Sequence, residues 1–454
     1  MTNVEISDLQ QAASGREAYM KKVDTTINKN NMHYGDMVLP DGSRISLDDR
    51  RTRRNNNVLV VGAPGTAKTR SFVIPNLLEL EGSYIITDPK GNLCSKYGEY
   101  MRQKGYSVKR LSFIHPEESV HYHPLTYVST TQDIQKLSYM IIGSQAAFSR
   151  DPYWERMGLV LLNSVIGFLK EHYSSHPEQQ TIANVLHLLR RSVKKDDNDL
   201  NAPTPFQKSM EKHREYHPDS WAAKQFESVD GAPPKTFDSI VTTAISGMNV
   251  FETEELTEMM KTNEIDFGSI GREKTAVFVE ASDTDRSMDM LINLFFSQAM
   301  NELCHYADEK CPDHRLPVPV RFIMDDFATN CRIDHFDKIL SNIRSRKISA
   351  VLVLQSLRQL ESLYGADAAT IVDDCDTLIY MGGNDPATAQ SIALRCDKTA
   401  STILHMEVGS SWIVRQGEAP YHCRNFELDD YIKAKAAGRQ LHTAKEAEPG
   451  PESC

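Results

Sequence analysis

The chain has 454 residues, enough for two or three domains with a large core, and its 40% hydrophobic and 25% charged residues are those of an ordinary globular protein. A net charge of −11 excludes binding to nucleic acid through overall charge; a DNA or RNA contact would need a local basic surface, such as one lining a channel. The eight cysteines are scattered without a C-x-x-C pair, which argues against zinc and fits a reduced setting. No signal peptide is present, and no apolar run reaches about 18 residues, so no segment reads as spanning a bilayer.

Residues 1–32 form a polar leader without evident chemistry. Tyr34 to Leu47 holds Pro40-Asp41-Gly42-Ser43, a turn between two short strands. Arg50-Arg51-Thr52-Arg53-Arg54 follows, read either as a solvated loop or as an anion or subunit contact near a nucleotide.

Val58-Leu59-Val60-Val61 reads as a buried strand. Gly62-Ala63-Pro64-Gly65-Thr66-Ala67-Lys68-Thr69-Arg70 continues from it into a helix expected over Thr69 to Leu80. Strand, glycine-containing loop, then Lys-Thr at a helix start is the context of a P-loop. Backbone N–H groups and the helix N-terminus would cradle the phosphates of ATP. Lys68 would reach the β- and γ-phosphates, and the Thr69 hydroxyl would hold Mg²⁺. The second glycine of the usual G-x-x-x-x-G-K-[ST] pattern is here Ala67.

Ser83 to Gly91 reads as a strand ending in a polar turn, with Asp88 and Lys90 at the edge where open α/β sheets bind ligands. A helix over Leu93 to Lys104 and a strand over Ser107 to Phe113 complete a βαβ run. From Thr131 the strand patterns stop. Trp154, Met157, Leu161, Val165 and Leu169 mark one face of a long helix, and further helical patterns run to Phe251. Lys194 to Pro205 reads as a polar loop. The division expected is nucleotide-binding residues 33–130, an all-helical insert 131–241, the second nucleotide-binding part 242–434, and a disordered tail 435–454.

Strands resume at Thr275 to Glu280. Val318 to Met324 is a hydrophobic strand ending in Asp325-Asp326, the Walker B arrangement: Asp325 would take Mg²⁺ and Asp326 would polarise the attacking water. Ile348 to Leu354 is another buried strand, ending in Gln355, which could sense the γ-phosphate or hold water. Arg344 and Arg346 precede it.

These pieces together resemble the conjugative coupling proteins of type IV secretion systems, the TraG/TraD-like ATPases. The matching segments run in order from Asn57-Val58-Leu59-Val60, through Thr87-Asp88-Pro89-Lys90-Gly91, Asp151-Pro152-Tyr153-Trp154-Glu155 and Lys235-Thr236, to Asp325-Asp326-Phe327-Ala328, Arg344-Ser345-Arg346 and Gln355-Ser356. The resemblance implies an α/β fold, a RecA-like P-loop ATPase with an inserted all-α domain, assembled as a homo-hexamer around a channel. It implies recruitment of relaxase and single-stranded DNA to the type IV secretion machinery, with ATP-driven, DNA-stimulated translocation. Arg344 would reach a neighbour's nucleotide, and the helical insert would dock substrate proteins. Family members usually start with a membrane anchor, so this chain would work at the cytoplasmic face of the bacterial membrane through a separate membrane component, unless it is a soluble form or a shortened chain. The family's second Walker B acid is usually glutamate; Asp326 is one methylene shorter. An ATP-binding recruitment receptor with little hydrolysis is the alternative, and a packaging or chromosome-segregation motor a third reading.

Overall fold

The computed structural model describes residues 35–143, 151–193, 202–282, 284–327 and 332–439. The leader, most of the loop expected from Lys194, and the tail beyond residue 439 lie outside these. The chain divides into two compact units. One holds the described residues up to Arg110, those from Phe267 to 282 and those from Leu303 onward; the other runs Leu111–Asp266 and Thr284–Glu302.

The first unit is built on a nine-stranded sheet. Its order is β11 (Tyr421–Arg424), β10 (Ser410–Arg415), β9 (Thr377–Tyr380), β3 (Val58–Val61), β8 (Ile348–Leu354), β7 (Val320–Met324), β4 (Ser83–Thr87), β6 (Thr275–Glu280) and β5 (Ser107–Ser112). From β9 to β6 every neighbouring pair is parallel. Strands β3, β4, β6, β7 and β8 are buried along their whole length. That is why they read as unbroken apolar runs: both faces of a parallel sheet are covered. Strands β10 and β11 close one side antiparallel. Ahead of the sheet, β1 (Asp36–Val38) and β2 (Arg44–Ser46) pair as the expected hairpin. Gly42, at φ +82, makes the turn, and the Asp41 carboxylate accepts from the Ser43 amide at 2.9 Å.

The helix after β3 departs from the expected uniform stretch. Thr69–Val73 is a wide turn in which the Ile74 amide donates to the Thr69 carbonyl, and the regular helix is Ile74–Leu78. Pro75 is the cause. It has no N–H to offer the preceding turn, and its ring crowds the carbonyl four residues back, so the backbone widens there.

At the far end of that helix Glu79 is buried. The Arg44 guanidinium donates to both its oxygens, at 2.9 and 3.0 Å; Lys435 reaches it at 2.7 Å, and the Tyr431 hydroxyl donates to it as well. Burial alone would raise the Glu79 carboxyl. The Arg44 hydrogen bonds and the Lys435 charge outweigh it and hold the group down at about 2, against an ordinary 4.5. A carboxyl depressed in the folded state stabilises fully above its unfolded value and loses that contribution as pH falls toward the folded one. About 3 kcal/mol of unfolding free energy is therefore expected to disappear between about pH 5 and pH 2. Glu79→Gln should lack this component in urea titrations across that range; an identical acid profile in the variant would show that the clamp contributes nothing. Tyr431 and Lys435 lie on helix Leu428–Ala436, which runs into the segment read as a tail. Leu428, Tyr431 and Ile432, three and four residues apart, pack its inner face into the core.

The second unit is almost wholly helical, around Pro152–His172. Asp151 caps this helix by accepting from the Tyr153 amide, and Leu161, Leu162, Val165, Ile166 and Leu169 are buried along it. Helix Trp221–Asp230 packs across it, with Gly167 facing Trp221 and Ala222 so closely that a side chain there would press on both. Helix Pro205–Tyr216 was not foreseen. Only Phe206, Met210 and His213 are buried on it, and a capping box of Thr204 and Gln207 starts it.

Candidate nucleotide site

The carboxyl ends of β3, β8 and β7 bring the site together. The loop after β3 is tied to both its neighbours: the Gly62 amide donates to the Leu354 carbonyl of β8 at 3.0 Å, and the Ala63 amide to Gly382, beyond β9, at 2.8 Å. Gly62 must lack a side chain, because a Cβ there would meet the Thr66 hydroxyl at 2.5 Å. Gly65 has open space around it but sits at φ +84, a backbone region that costs glycine little. Ala67 is also left-handed, at φ +63. Ala67 thus holds a left-handed backbone that the usual glycine would adopt freely, at a strain of about 1 kcal/mol.

Lys68 is 9% exposed, and its ammonium folds back over the loop, donating to the Gly62 carbonyl at 2.5 Å and to Ala63 at 3.2 Å. Burial lowers its proton affinity, while the Asp326 and Asp325 charges act the other way. The Thr69 hydroxyl donates to Asp325 Oδ2 at 2.6 Å. These two residues lie 256 positions apart and start from strands separated by β8. Burial raises the Asp325 carboxyl, and the Asp326 charge adds to this against the Thr69 hydrogen bond. Asp326 is left-handed at φ +52, a conformation that aspartate tolerates better than most residues. The side-chain Nε2 of Gln355, at the end of β8, donates to Asp326 Oδ1 at 3.3 Å, so Gln355 sits between the loop and the acid pair.

Lys68, Thr69, Asp325, Asp326 and Gln355 thus meet at one sheet edge. Arg70 turns outward, 3.8 Å from Asp429, and Pro64 is exposed at the loop tip. Arg344 does not join them. It precedes β8, at the opposite edge, and donates to the Asp49 carbonyl at 3.0 Å. The seven residues of β8 separate it from Gln355 by about 20 Å. The basic run of residues 50–54 precedes β3 and lies at that far edge too, with Arg54 bound to Glu418 at 2.6 Å, so it is not beside this chain's own loop. Asp88 turns away from the site to cap helix Asn92–Gln103, accepting from the amides of Leu93 and Cys94. Two supporting residues were not foreseen. The Thr87 hydroxyl donates to the Asp325 carbonyl at 2.8 Å, and the Gln359 side-chain oxygen accepts from the Gln355 backbone N–H at 2.9 Å. Thr87, the last residue of a neighbouring buried strand, could have been found from its polarity; Gln359 carried no signal.

Oxygen donors from a hydroxyl and a carboxylate, side by side at the mouth of a phosphate-type loop, suit a small hard cation. The geometry defines the class: the fold is that of a RecA-like P-loop ATPase carrying a helical domain. The family described as Type IV secretory system Conjugative DNA transfer matches residues 3–405, and the chain belongs to it. Among solved structures, it is similar to the bacterial conjugative coupling protein TrwBdeltaN70, in a trigonal form in complex with sulphate, with a TM-score of 0.62 at 15% identity, covering 87% of this chain and 90% of that one. Plasmid coupling protein TrwB in complex with the non-hydrolysable ATP analogue ADPNP gives 0.60 at 15% identity over 93% and 92%. VirB4 of Thermoanaerobacter pseudethanolicus gives 0.50 at 13% over 93% and 98%. Identities this low speak for the fold alone. No curated protein matches the chain. Among the described residues no helix is long and apolar enough to cross a membrane.

Proposed function

We propose that this chain is a coupling-protein ATPase of conjugative DNA transfer, binding ATP and Mg²⁺ on residues 62–70 with Asp325. In this reading it brings relaxase-bound single-stranded DNA to the type IV secretion machinery and drives its passage by hydrolysis. It works as a ring of six copies at the cytoplasmic face of the membrane, together with a membrane component of the secretion machinery. The 2.6 Å hydrogen bond from Thr69 to Asp325 carries the proposal, since it closes two distant segments on a single point.

Lys68 would leave the carbonyls of Gly62 and Ala63 for the β- and γ-phosphate oxygens, exchanging weak partners for anionic ones. Thr69 and Asp325 would hold the metal, which supplies charge neutralisation to the phosphates when bound. Asp326 would orient and polarise the attacking water, with Gln355 fixing the carboxylate. TrwB crystallises with ADP and Mg²⁺, in keeping with this assignment. Arg344 would serve the nucleotide of an adjacent copy.

ATP turnover with and without single-stranded DNA tests the reading. Asp326→Glu is expected to keep or raise kcat, because it restores the longer carboxylate. It should also lose up to about 1 kcal/mol of stability, since glutamate suits φ +52 less well. A clear loss of kcat in a folded Asp326→Glu protein would remove Asp326 from its role. The strained Ala67 and the short acid favour a second reading, a nucleotide-binding receptor that recruits relaxase and hydrolyses little. Absence of DNA-stimulated turnover at high protein concentration would select it.

A further inference from the structure

A cavity of about 300 Å³ opens at the sheet edge opposite the nucleotide loop. Arg321, on the central strand β7, lines it. The residue is only 5% exposed, in register between Tyr84 of β4 and Ser349 of β8. Among the described residues its guanidinium has no hydrogen-bond or ion-pair partner; Glu81 acts on it only through longer-range charge. An unpaired guanidinium inside a sheet is costly unless something anionic reaches it. Lys274, Arg344 and Lys347 also line the cavity, against the two carboxylates Asp49 and Glu81. Asp49 is already engaged by Arg315 at 2.6 Å. The lining thus carries four basic side chains against two carboxylates, a net positive wall suited to an anion.

One side of the wall, Pro317-Val318-Pro319 with Ile348, is apolar, and the space exceeds that of a bare phosphate. We infer that this cavity binds a small organic phosphate monoester, with Arg321 as the anchor and the proline wall against the organic body. The planar guanidinium fork matches two phosphate oxygens. The site is separate from the nucleotide loop: Arg321 and Asp325 lie four residues apart on one strand and its end, about 13 Å.

Calorimetric titration of the full chain with ribose 5-phosphate, inorganic phosphate, ribose and citrate tests this. The comparison that decides is wild type against Arg321→Met, since both share an unaltered nucleotide loop. Ribose 5-phosphate should bind wild type and weaken at least about tenfold in Arg321→Met. Inorganic phosphate should bind less tightly with the same dependence, and ribose should not bind. Removing the unpaired charge should leave the melting temperature of Arg321→Met unchanged or raised. Lys274→Gln, at an exposed position, should weaken ribose 5-phosphate about threefold and serves if Arg321→Met does not fold. Equal affinity in wild type and the variants, no phosphate binding to wild type, or binding of citrate in place of the phosphates would each overturn the assignment.

Discussion

Lys68→Ala is expected to reduce kcat for ATP by about 10²–10³-fold or more, the cost of one lost charge at a transferring phosphoryl group. This ammonium donates to the Gly62 and Ala63 carbonyls, so its removal should change stability by no more than about 1 kcal/mol. The neighbouring acids respond more strongly. Lys68 is a cation whose field reaches both Asp325 and Asp326. Without it, Asp325, already raised by burial and by Asp326, should hold its proton to still higher pH. Mg²⁺-dependent nucleotide binding in Lys68→Ala should therefore weaken most at acidic pH, where the metal has to displace that proton. Stopped-time phosphate release gives the first quantity and fluorescent-nucleotide titration at several pH values the second. Full turnover in a Lys68→Ala protein would end the nucleotide-site assignment.

Arg344→Ala is expected to cost about 10³-fold or more in kcat, as for other arginines supplied to a transferring phosphoryl group from a second subunit. Inside one chain Arg344 stands at the wrong edge of the sheet, the length of β8 away from Gln355, so any catalytic contribution must be made to another copy. Its present contacts are light. It donates to a backbone carbonyl, lies 3.9 Å from the Asp49 carboxylate and is 39% exposed, so it can leave them cheaply. Arg346, two residues on, is not free in the same way, because Asp308 holds it at 2.7 and 2.8 Å. Two inactive proteins, Lys68→Ala and Arg344→Ala, should regain activity when mixed. Random assembly restores both residues at roughly a quarter of the shared sites. A mixture as inactive as its components would show that Arg344 does not act across subunits.

The apolar runs that became β3, β4, β6, β7 and β8 were legible because burial on both faces leaves no alternation to confuse the pattern. The site residues at their ends were legible for the same reason: a polar side chain directly after such a run stands at an edge. Strand β11 was missed, being four residues with only Cys423 fully buried at the margin of the sheet. Helix Pro205–Tyr216 was missed because three buried residues in twelve give a faint stripe, although Thr204-Pro205-Phe206-Gln207 spelled out its start. The break after Thr69 was written in Pro75, whose effect on the preceding turn is local and could have been read. What sequence could not supply was the left-handed backbone at Ala67 and Asp326, or the empty space before Arg321. Each of these is set by contacts between segments hundreds of positions apart.

The clamp on Glu79 bears on how the chain may be shortened. Cutting before Tyr431 would strip a buried anion of one of its two cations and of its hydroxyl donor, in the very helix that carries Lys68 and Thr69 at its other end. A trimmed protein of that kind should lose grip on nucleotide through a slackened helix, with every residue that touches the phosphates still in place.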